Sequence, residues 1–148
     1  MLHPGHLLRR SLQAMNLLWA QEVSRTITSP QFAALNALLR EPEIDQRTLG
    51  RRISLDRSTM ADVVARLTAR GLIRSERHSR DGRRKTLRLT ARGELVLRQL
   101  IPRTHEMTDR LVAALNQRER TELLRLLTLV VRSGEGAAET SRVIGVRS

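Results

Sequence analysis

Apolar residues recur at three- and four-residue steps along much of the chain, a pattern that predicts amphipathic helices. The first stripe covers about residues 7–23 and includes Trp19. A second helix is predicted to about residue 40, with Ser29 as its N-cap and Pro30 in its first turn, where a missing N–H costs nothing. The inward positions that we expect on this second helix are Phe32, Leu35, Leu38 and Leu39.

Two further periodic segments are joined by a tight turn. Asp45 is placed to cap a short helix over residues 46–53, and a longer helix is predicted over residues 57–70. Gly71 is expected to end the longer helix in a left-handed conformation. Two helices of these lengths with this spacing predict a helix-turn-helix.

A β-hairpin is predicted directly after the helix-turn-helix. Residues 73–78 and 85–89 are strand-like and flank a polar loop that contains Asp81-Gly82. Asp-Gly favours a hairpin because glycine readily adopts the positive φ that tight hairpin turns need. Ile44 is expected to supply a short additional strand. A hairpin in this position is a wing.

The last third of the chain predicts two helices. The first is capped by Thr90 and runs to about Leu115, with a kink at Pro102. The second begins with a capping box made by Asn116 and Glu119. The helices at the two ends of the chain carry broad apolar stripes, so we expect the same segments of a second subunit to cover them.

These elements predict a mainly α fold with a small β-wing: a winged helix-turn-helix DNA-binding lobe plus a helical dimerisation lobe. The length of 148 residues suits one domain. The glycine-rich segment 133–136 is expected to end the last helix. The predicted boundaries are a single domain over 1–133, with a DNA-binding lobe over about 30–90 and a dimerisation lobe over 6–25 and 91–133, and a C-terminal tail over 134–148.

The basic residues are concentrated in the middle of the chain. The net charge is +12, and residues 45–90 alone hold 13 basic and five acidic residues. A basic lobe of this kind is expected to bind a polyanion. All of the basic residues except Lys85 are arginines, which offer bidentate contacts to phosphate or guanine. A general preference for arginine, placed on a solvated face, is the alternative explanation of the total charge.

Composition also argues against several classes of protein. The chain has no cysteine, so disulfides and thiolate metal sites are excluded. The four histidines lack the spacing of metal ligands, and we expect no metal and no cofactor. Neither a membrane span nor a signal peptide is evident, so a cytoplasmic protein is expected. We find no nucleophile elbow and no phosphate-binding glycine loop, so an enzyme is not expected.

Several segments, taken in order, resemble the MarR family of transcriptional regulators. The resemblance covers about residues 6–132. It implies a homodimer that binds a pseudo-palindromic DNA site, in most cases as a repressor. The segments that carry it are Thr28–Leu35, Leu49–Ile53, Asp56–Thr59, Arg66–Ile73, the wing pair Asp81 and Arg83 followed by Leu89, Thr90 and Gly93, and Leu115–Arg120.

A recognition helix reads base edges in the major groove from its N-terminal turns. Asp62 is unexpected on such a surface. It either accepts a hydrogen bond from a cytosine amine or holds Arg66 in place, and we favour the second interpretation. The outward positions expected to face DNA are Arg57, Ser58, Thr59, Asp62 and Arg66.

The wing is expected to reach the adjacent minor groove. Arg83 is the first choice for insertion, with Asp81 orienting its guanidinium group. Arg80, Arg84 and Lys85 are expected to contact phosphates. For each of these residues a solvated surface charge is the alternative.

Regulators of this family often respond to small aromatic acids, and the start of the chain resembles a subgroup that does. His6 and Arg10 lie four residues apart on the first helix and can bind a carboxylate together. Trp19 and Phe32 can stack on a ring, although Trp19 also fits a purely structural place in the core. The sequence therefore predicts a DNA-binding repressor that an aromatic carboxylate releases. A nonspecific or architectural nucleic-acid-binding protein is the alternative.

Overall fold

The computed structural model describes the backbone of residues 3–144 and the side chains of residues 3–137. The chain divides into two compact units, Met1–Leu111 and Val112–Ser148. Within the described residues the first unit holds five α-helices, one π-helical turn and a two-stranded antiparallel sheet, and the second holds one α-helix. The predicted fold class, mainly α with a small β-wing, is confirmed. Over this part of the chain no helix combines the length and apolarity needed to cross a membrane.

The order of elements follows the prediction, whereas several boundaries shift, most of all the end of the last helix. A π-helical turn, Trp19–Val23, directly follows the first helix. The remaining elements are α1 (Pro4–Leu18), α2 (Ser29–Arg40), α3 (Gln46–Arg52), α4 (Arg57–Ala69), β1 (Ile73–Arg77), β2 (Lys85–Leu89), α5 (Ala91–Leu111) and α6 (Gln117–Ile144).

Trp19 connects the end of α1 to the core of the first unit. Its indole is 7% exposed, and Nε1 donates a hydrogen bond of 2.7 Å to the carbonyl of Ile27. Its ring centroid lies 5.4 Å from that of Phe32, at an interplanar angle of 60°. Tilted aromatic pairs at this distance stabilise beyond their buried area. Trp19 therefore fixes the turn between α1 and α2.

Two details of α2 differ from the prediction. The N-cap is Thr28 rather than Ser29, because Thr28 and Gln31 form a reciprocal capping box. Leu35 and Leu38 are buried as predicted, whereas Leu39 is 40% exposed. Leu39 is one residue past Leu38, and a rotation of about 100° per residue turns it away from the core.

The helix-turn-helix, α3 and α4, packs closely around its turn. Asp45 caps α3 by accepting a hydrogen bond of 2.7 Å from the N–H of Thr48, as predicted. Gly50 allows the turn to approach α3, because a Cβ on this residue would lie 3.3 Å from the carbonyl oxygen of Leu55. Gly71 has a φ of +68°, which confirms the left-handed end of α4.

The wing is an antiparallel hairpin with a regular register from Ile73 opposite Leu89 to Arg77 opposite Lys85. Ile44, which was predicted to form a short additional strand, pairs with Leu87 as a single antiparallel β-bridge beside the hairpin. The expectation for Gly82 was wrong, since its φ does not lie in the positive region. The loop between the strands is longer than a two-residue turn, so no residue at its tip has to adopt that conformation.

Thr90 joins the start of α5 to the end of α4. Its hydroxyl donates a hydrogen bond of 2.6 Å to the carbonyl of Gly71 and accepts one of 3.0 Å from the N–H of Gly93. The N–H of Thr90 bonds to the carbonyl of Leu72 at 3.1 Å. Position 93 requires glycine because the backbone of Leu72 approaches it closely: a Cβ on this residue would lie 2.0 Å from the carbonyl oxygen of Leu72.

The end of α5 and the course of α6 differ from the prediction. Helix α5 contains Pro102 and ends at Leu111 rather than Leu115, and a turn leads to the predicted capping box of Asn116 and Glu119. Helix α6 does not stop at residues 133–136 but continues to Ile144. Glycine costs an exposed helix about 1 kcal/mol, which is not sufficient by itself to end one. The predicted tail is thus helical as far as residue 144, and its last residues, 145–148, lie outside the described residues.

Apolar side chains remain exposed on helices of both units. The first unit leaves them along α1, which has no buried residue among its described side chains. The second unit leaves them along α6. The exposed residues on these two helices are Leu7, Leu8, Leu12, Leu17, Leu124, Leu126, Leu127, Leu129, Val130 and Val131.

Candidate nucleic-acid interface

The N-terminus of α4 is shaped by Asp56. One carboxylate oxygen accepts a hydrogen bond of 2.8 Å from the N–H of Thr59, and the other accepts one of 2.8 Å from the Thr59 hydroxyl. These bonds, the one from the backbone N–H being the largest cause, lower the pKa of the Asp56 carboxyl. Asp56 therefore already neutralises the positive end of the helix, a role that the sequence analysis did not assign to it.

The outward face of α4 is polar and accessible. The five positions expected to face DNA are all exposed, whereas Met60, Val63 and Leu67 hold the opposite face in the core. Arg66 Nε lies 3.0 Å from Asp62 Oδ2, one helical turn away. An exposed pair of this kind adds little stability, but it restricts the orientation of the Arg66 side chain. The exposed positions are Arg57, Ser58, Thr59, Asp62 and Arg66.

The wing loop is ordered by its own side chains. His78 Nδ1 accepts hydrogen bonds from the backbone N–H groups of Arg80, at 3.2 Å, and Asp81, at 3.1 Å. Asp81 in turn accepts a bond of 3.2 Å from the backbone N–H of Arg83. The hydrogen bond between these two residues thus reaches the backbone of Arg83, where the sequence predicted a contact with its guanidinium group. His78 was missed because its partners are backbone groups, which a pattern of side chains does not indicate.

The basic side chains of the wing differ in their partners. Arg84 Nη2 pairs with Asp45 Oδ2 at 3.3 Å. Arg80, Arg83 and Lys85 are exposed, and the described residues provide no ion-pair partner for these three side chains. Arg77 donates a hydrogen bond of 2.9 Å to the carbonyl of Gly82, which closes the base of the loop. A groove of about 350 Å³ lies along this side of the wing, lined by residues 75–77 and 82–85.

The residues considered for an effector form two pairs. His6 and Arg10 are exposed one helical turn apart on α1. Trp19 and Phe32 are in contact with each other, and only Phe32 is partly exposed. Thirteen residues separate His6 from Trp19, which corresponds to about 20 Å along a helix axis. That separation is much longer than a single-ring acid.

Comparisons with known proteins place this arrangement in a family. A model of the MarR family matches residues 23–84. The chain is 31% identical over 134 residues to the HTH-type transcriptional repressor NicR of Pseudomonas putida, a match that covers 90% of this chain and 85% of the repressor. These matches are to transcriptional regulators, in agreement with the expectation that the chain is not an enzyme.

Solved structures give the same result. The PcaV transcriptional regulator of Streptomyces coelicolor, in complex with its natural ligand, is 48% identical and superposes with a TM-score of 0.84, covering 89% of this chain and 94% of that chain. BpsR of Bordetella bronchiseptica, whose DNA binding is regulated by 6-hydroxynicotinic acid, is 27% identical and superposes with a TM-score of 0.78. The match covers 86% of this chain and 97% of the BpsR chain.

Proposed function

The chain belongs to the MarR family of winged-helix transcriptional regulators, and we propose that it is a homodimeric repressor of a pseudo-palindromic operator, released by a small aromatic acid. The observation that carries the DNA-binding part is the combination of an exposed polar face on α4 with an arginine-bearing wing in the same unit. Both lie in the segment that holds most of the net positive charge.

Helix α4 reads the major groove in this proposal. Ser58 and Thr59 are short enough to bring the helix close to base edges, and Arg57 and Arg66 reach guanine or phosphate. Asp62 holds Arg66 rather than a base, which their 3.0 Å contact supports. The N-terminus of α4 contributes little to phosphate binding, because the Asp56 carboxylate already occupies it.

The wing supplies the minor-groove contact. Arg83 inserts, since its backbone is fixed by Asp81 while its side chain remains exposed. Arg80 and Lys85 contact the flanking phosphates, and Arg84 joins them when it leaves Asp45. Phosphate contacts position the protein on the duplex, and the base contacts of α4 and Arg83 select the sequence.

A second copy of the chain covers the apolar faces in this proposal. The first unit exposes four leucines along α1, and the second exposes leucine and valine side chains between residues 124 and 131 of α6. Contiguous apolar patches on a protein surface often mark an interface with a partner. A symmetric pair of winged helices also suits a pseudo-palindromic site. Size exclusion with light scattering is expected to give twice the 16.8 kDa of one chain, and a stable monomer contradicts this part of the proposal.

The effector is proposed to be a small aromatic carboxylate, as the regulation of BpsR by 6-hydroxynicotinic acid suggests for this fold. His6 and Arg10 donate hydrogen bonds to the carboxylate. Trp19 lies too far along the helix from His6 to stack on the same ligand, and Phe32 is in contact with Trp19. We therefore assign only the carboxylate contacts, to His6 and Arg10, and give the Trp19–Phe32 pair a structural role.

DNA binding is tested by fluorescence anisotropy on a duplex from immediately upstream of the protein's own gene, against a scrambled duplex, at about 150 mM salt. A sequence-specific regulator prefers the first duplex by several orders of magnitude. Arg83→Ala is expected to weaken that binding by about 1–3 kcal/mol, and Arg98→Ala on α5 serves as the control of equal charge. Equal binding to both duplexes supports a nonspecific nucleic-acid-binding protein instead.

Release is tested in the same cuvette by adding a panel of aromatic carboxylates to the complex. Arg10→Ala is expected to remove the response while leaving DNA binding intact. Arg9→Ala is the matched control, because it removes the same charge from the next position of α1, which points about 100° away. An unchanged response in Arg10→Ala, or a loss in both variants, argues against the assigned carboxylate site.

A further inference from the structure

Glu43 makes contacts with the wing that its place in the sequence does not predict. It lies between α2 and α3, yet its Oε2 atom accepts a hydrogen bond of 2.8 Å from the hydroxyl of Ser79, 36 residues away. Its Oε1 atom accepts a second hydrogen bond from the guanidinium group of Arg88 on β2. One carboxylate thus contacts both the loop and a strand of the wing.

The histidine that orders the wing loop also faces Glu43. His78 Nε2 lies 3.9 Å from Glu43 Oε2, and the two side chains are only 20% and 18% exposed. On its other side, His78 Nδ1 binds the backbone N–H groups of Arg80 and Asp81. Glu43 therefore contacts the two residues from which the Arg83-bearing loop begins.

The backbone of Glu43 supports a specific role for this side chain. Its φ is +64°, in the left-handed region that residues other than glycine rarely adopt. Such a conformation persists where surrounding contacts hold it, and it often marks a functional position. The contacts lower the pKa of the Glu43 carboxyl, first through the Ser79 hydroxyl and then through Arg88, so the group is ionised at neutral pH.

The residues after Glu43 extend the same connection into the helix-turn-helix. The carbonyl of Ile44 accepts a hydrogen bond of 2.9 Å from the N–H of Leu87. Asp45 caps α3 with one carboxylate oxygen and pairs with Arg84, at the other end of the wing loop, with the second. Segment 43–45 therefore links α3 to both ends of the wing loop.

We propose that Glu43 is a positioning residue for DNA recognition, whose contacts with Ser79 and Arg88 hold the wing at a fixed place relative to the helix-turn-helix. This inference rests on the proposed function, because it assumes that Arg83 and α4 contact one DNA site together. A wing held in advance loses less conformational entropy on binding. Glu43 itself touches no DNA and acts through the loop.

The proposal predicts an effect opposite in sign to simple electrostatics. Removal of an acidic residue from a DNA-binding lobe raises affinity when only charge matters. Glu43→Ala is expected instead to weaken binding to the upstream duplex by about 3- to 10-fold, the range that follows from releasing about one ordered side chain. Binding to the scrambled duplex is expected to stay the same or to rise.

Glu41 provides the matched control. It lies two residues away, carries the same charge, and forms an exposed pair with Arg52 at 3.0 Å rather than with the wing. Glu41→Ala is expected to leave specific binding unchanged or to tighten it. If the two variants behave alike, the inference is overturned.

A double-mutant cycle separates positioning from a general loss of stability. If Glu43 acts through the wing, its replacement has little further effect once Arg83 is alanine, so the loss falls below about twofold in that background. The same loss with and without Arg83 overturns the inference. Ser79→Ala removes the neutral partner of the contact, and it replaces Glu43→Ala if that variant does not fold. Failure of the wild-type protein to distinguish the duplexes instead contradicts the proposed function itself.

Discussion

Gly93 offers a test in which local helix preference and tertiary packing predict opposite results. It lies in the first turn of α5, where alanine is normally the better helix former by about 1 kcal/mol. The added Cβ, however, would lie 2.0 Å from the carbonyl oxygen of Leu72 and 3.0 Å from the carbonyl carbon. Both atoms belong to the backbone and cannot rotate away, so Gly93→Ala forces α5 to move.

The size of the effect follows from these distances. Contacts of a Cβ shorter than 3.0 Å essentially do not occur, so the backbone has to separate by about 1 Å or more. That movement costs about 1–3 kcal/mol as overpacking, and it stretches the 3.1 Å bond from Thr90 N–H to Leu72, worth about 1 kcal/mol. The gain in helix preference offsets the lost hydrogen bond. We expect a net destabilisation near the upper end of the range, about 3 kcal/mol.

Urea denaturation and thermal melting, both at one fixed protein concentration, measure this change. For a chain of this size about 3 kcal/mol corresponds to a decrease in Tm of roughly 6–12 °C. Gly134→Ala is the control, because Gly134 lies inside α6 and a Cβ added to it would have no neighbouring atom within 4 Å. This change is expected to stabilise the protein by up to about 1 kcal/mol. Stabilisation by both substitutions would refute the close approach of Gly93 to Leu72.

Three further predictions concern caps and buried polar contacts. Asp56→Ala is expected to lower the free energy of unfolding by about 1 kcal/mol, and Asp56→Asn, which can still cap, by much less, as measured by urea denaturation. In the folded state the pKa values of the Asp45 and Asp56 carboxyls are lowered from the ordinary 3.8. Their contribution to stability is therefore present above pH 3.8 and is lost as the pH falls through the folded pKa. In the double Asp→Asn variant, the free energy of unfolding is expected to depend less on pH below about pH 4 than in the wild type. Trp19→Phe keeps an aromatic ring but leaves the buried Ile27 carbonyl without its donor. It is expected to lower the free energy of unfolding by about 1–3 kcal/mol, as measured by denaturation followed by circular dichroism. An unchanged free energy of unfolding would contradict this expectation.

The sequence was informative where the deciding interactions are local. The caps at Asp45 and Asn116 and the left-handed Gly71 each depend on residues within one helical turn, and all three were predicted. The choice between Thr28 and Ser29 was not predicted, because both side chains can cap and the reciprocal bond from the Thr28 N–H to Gln31 Oε1 decides between them. The glycines near residue 134 were given too much weight, since glycine ends a helix only where the backbone turns left-handed.

The organisation of the proposed DNA-binding surface could be predicted only in part. The polar face of α4 and the basic wing follow from periodicity and charge. The contacts of Glu43 with the wing join residues 36 and 45 positions apart, and no local pattern indicates them. Asp56 itself was noted only as part of the family resemblance, although its spacing from Thr59 is that of an N-cap.

The hydroxyl of Thr90 has a mechanical consequence for any regulation that reaches DNA through α5. Because it bonds to the carbonyl of Gly71, just past α4, and to the N–H of Gly93 in the first turn of α5, we expect a change in the direction of α5 to carry α4 with it. Helix α4 extends about 20 Å from the joint to its N-terminus. A rotation of about 10° therefore sweeps that end through roughly 3 Å, close to the rise of one base pair. If α4 reads DNA as proposed, a small change in the direction of α5 is enough to move the N-terminus of α4 out of phase with the DNA site.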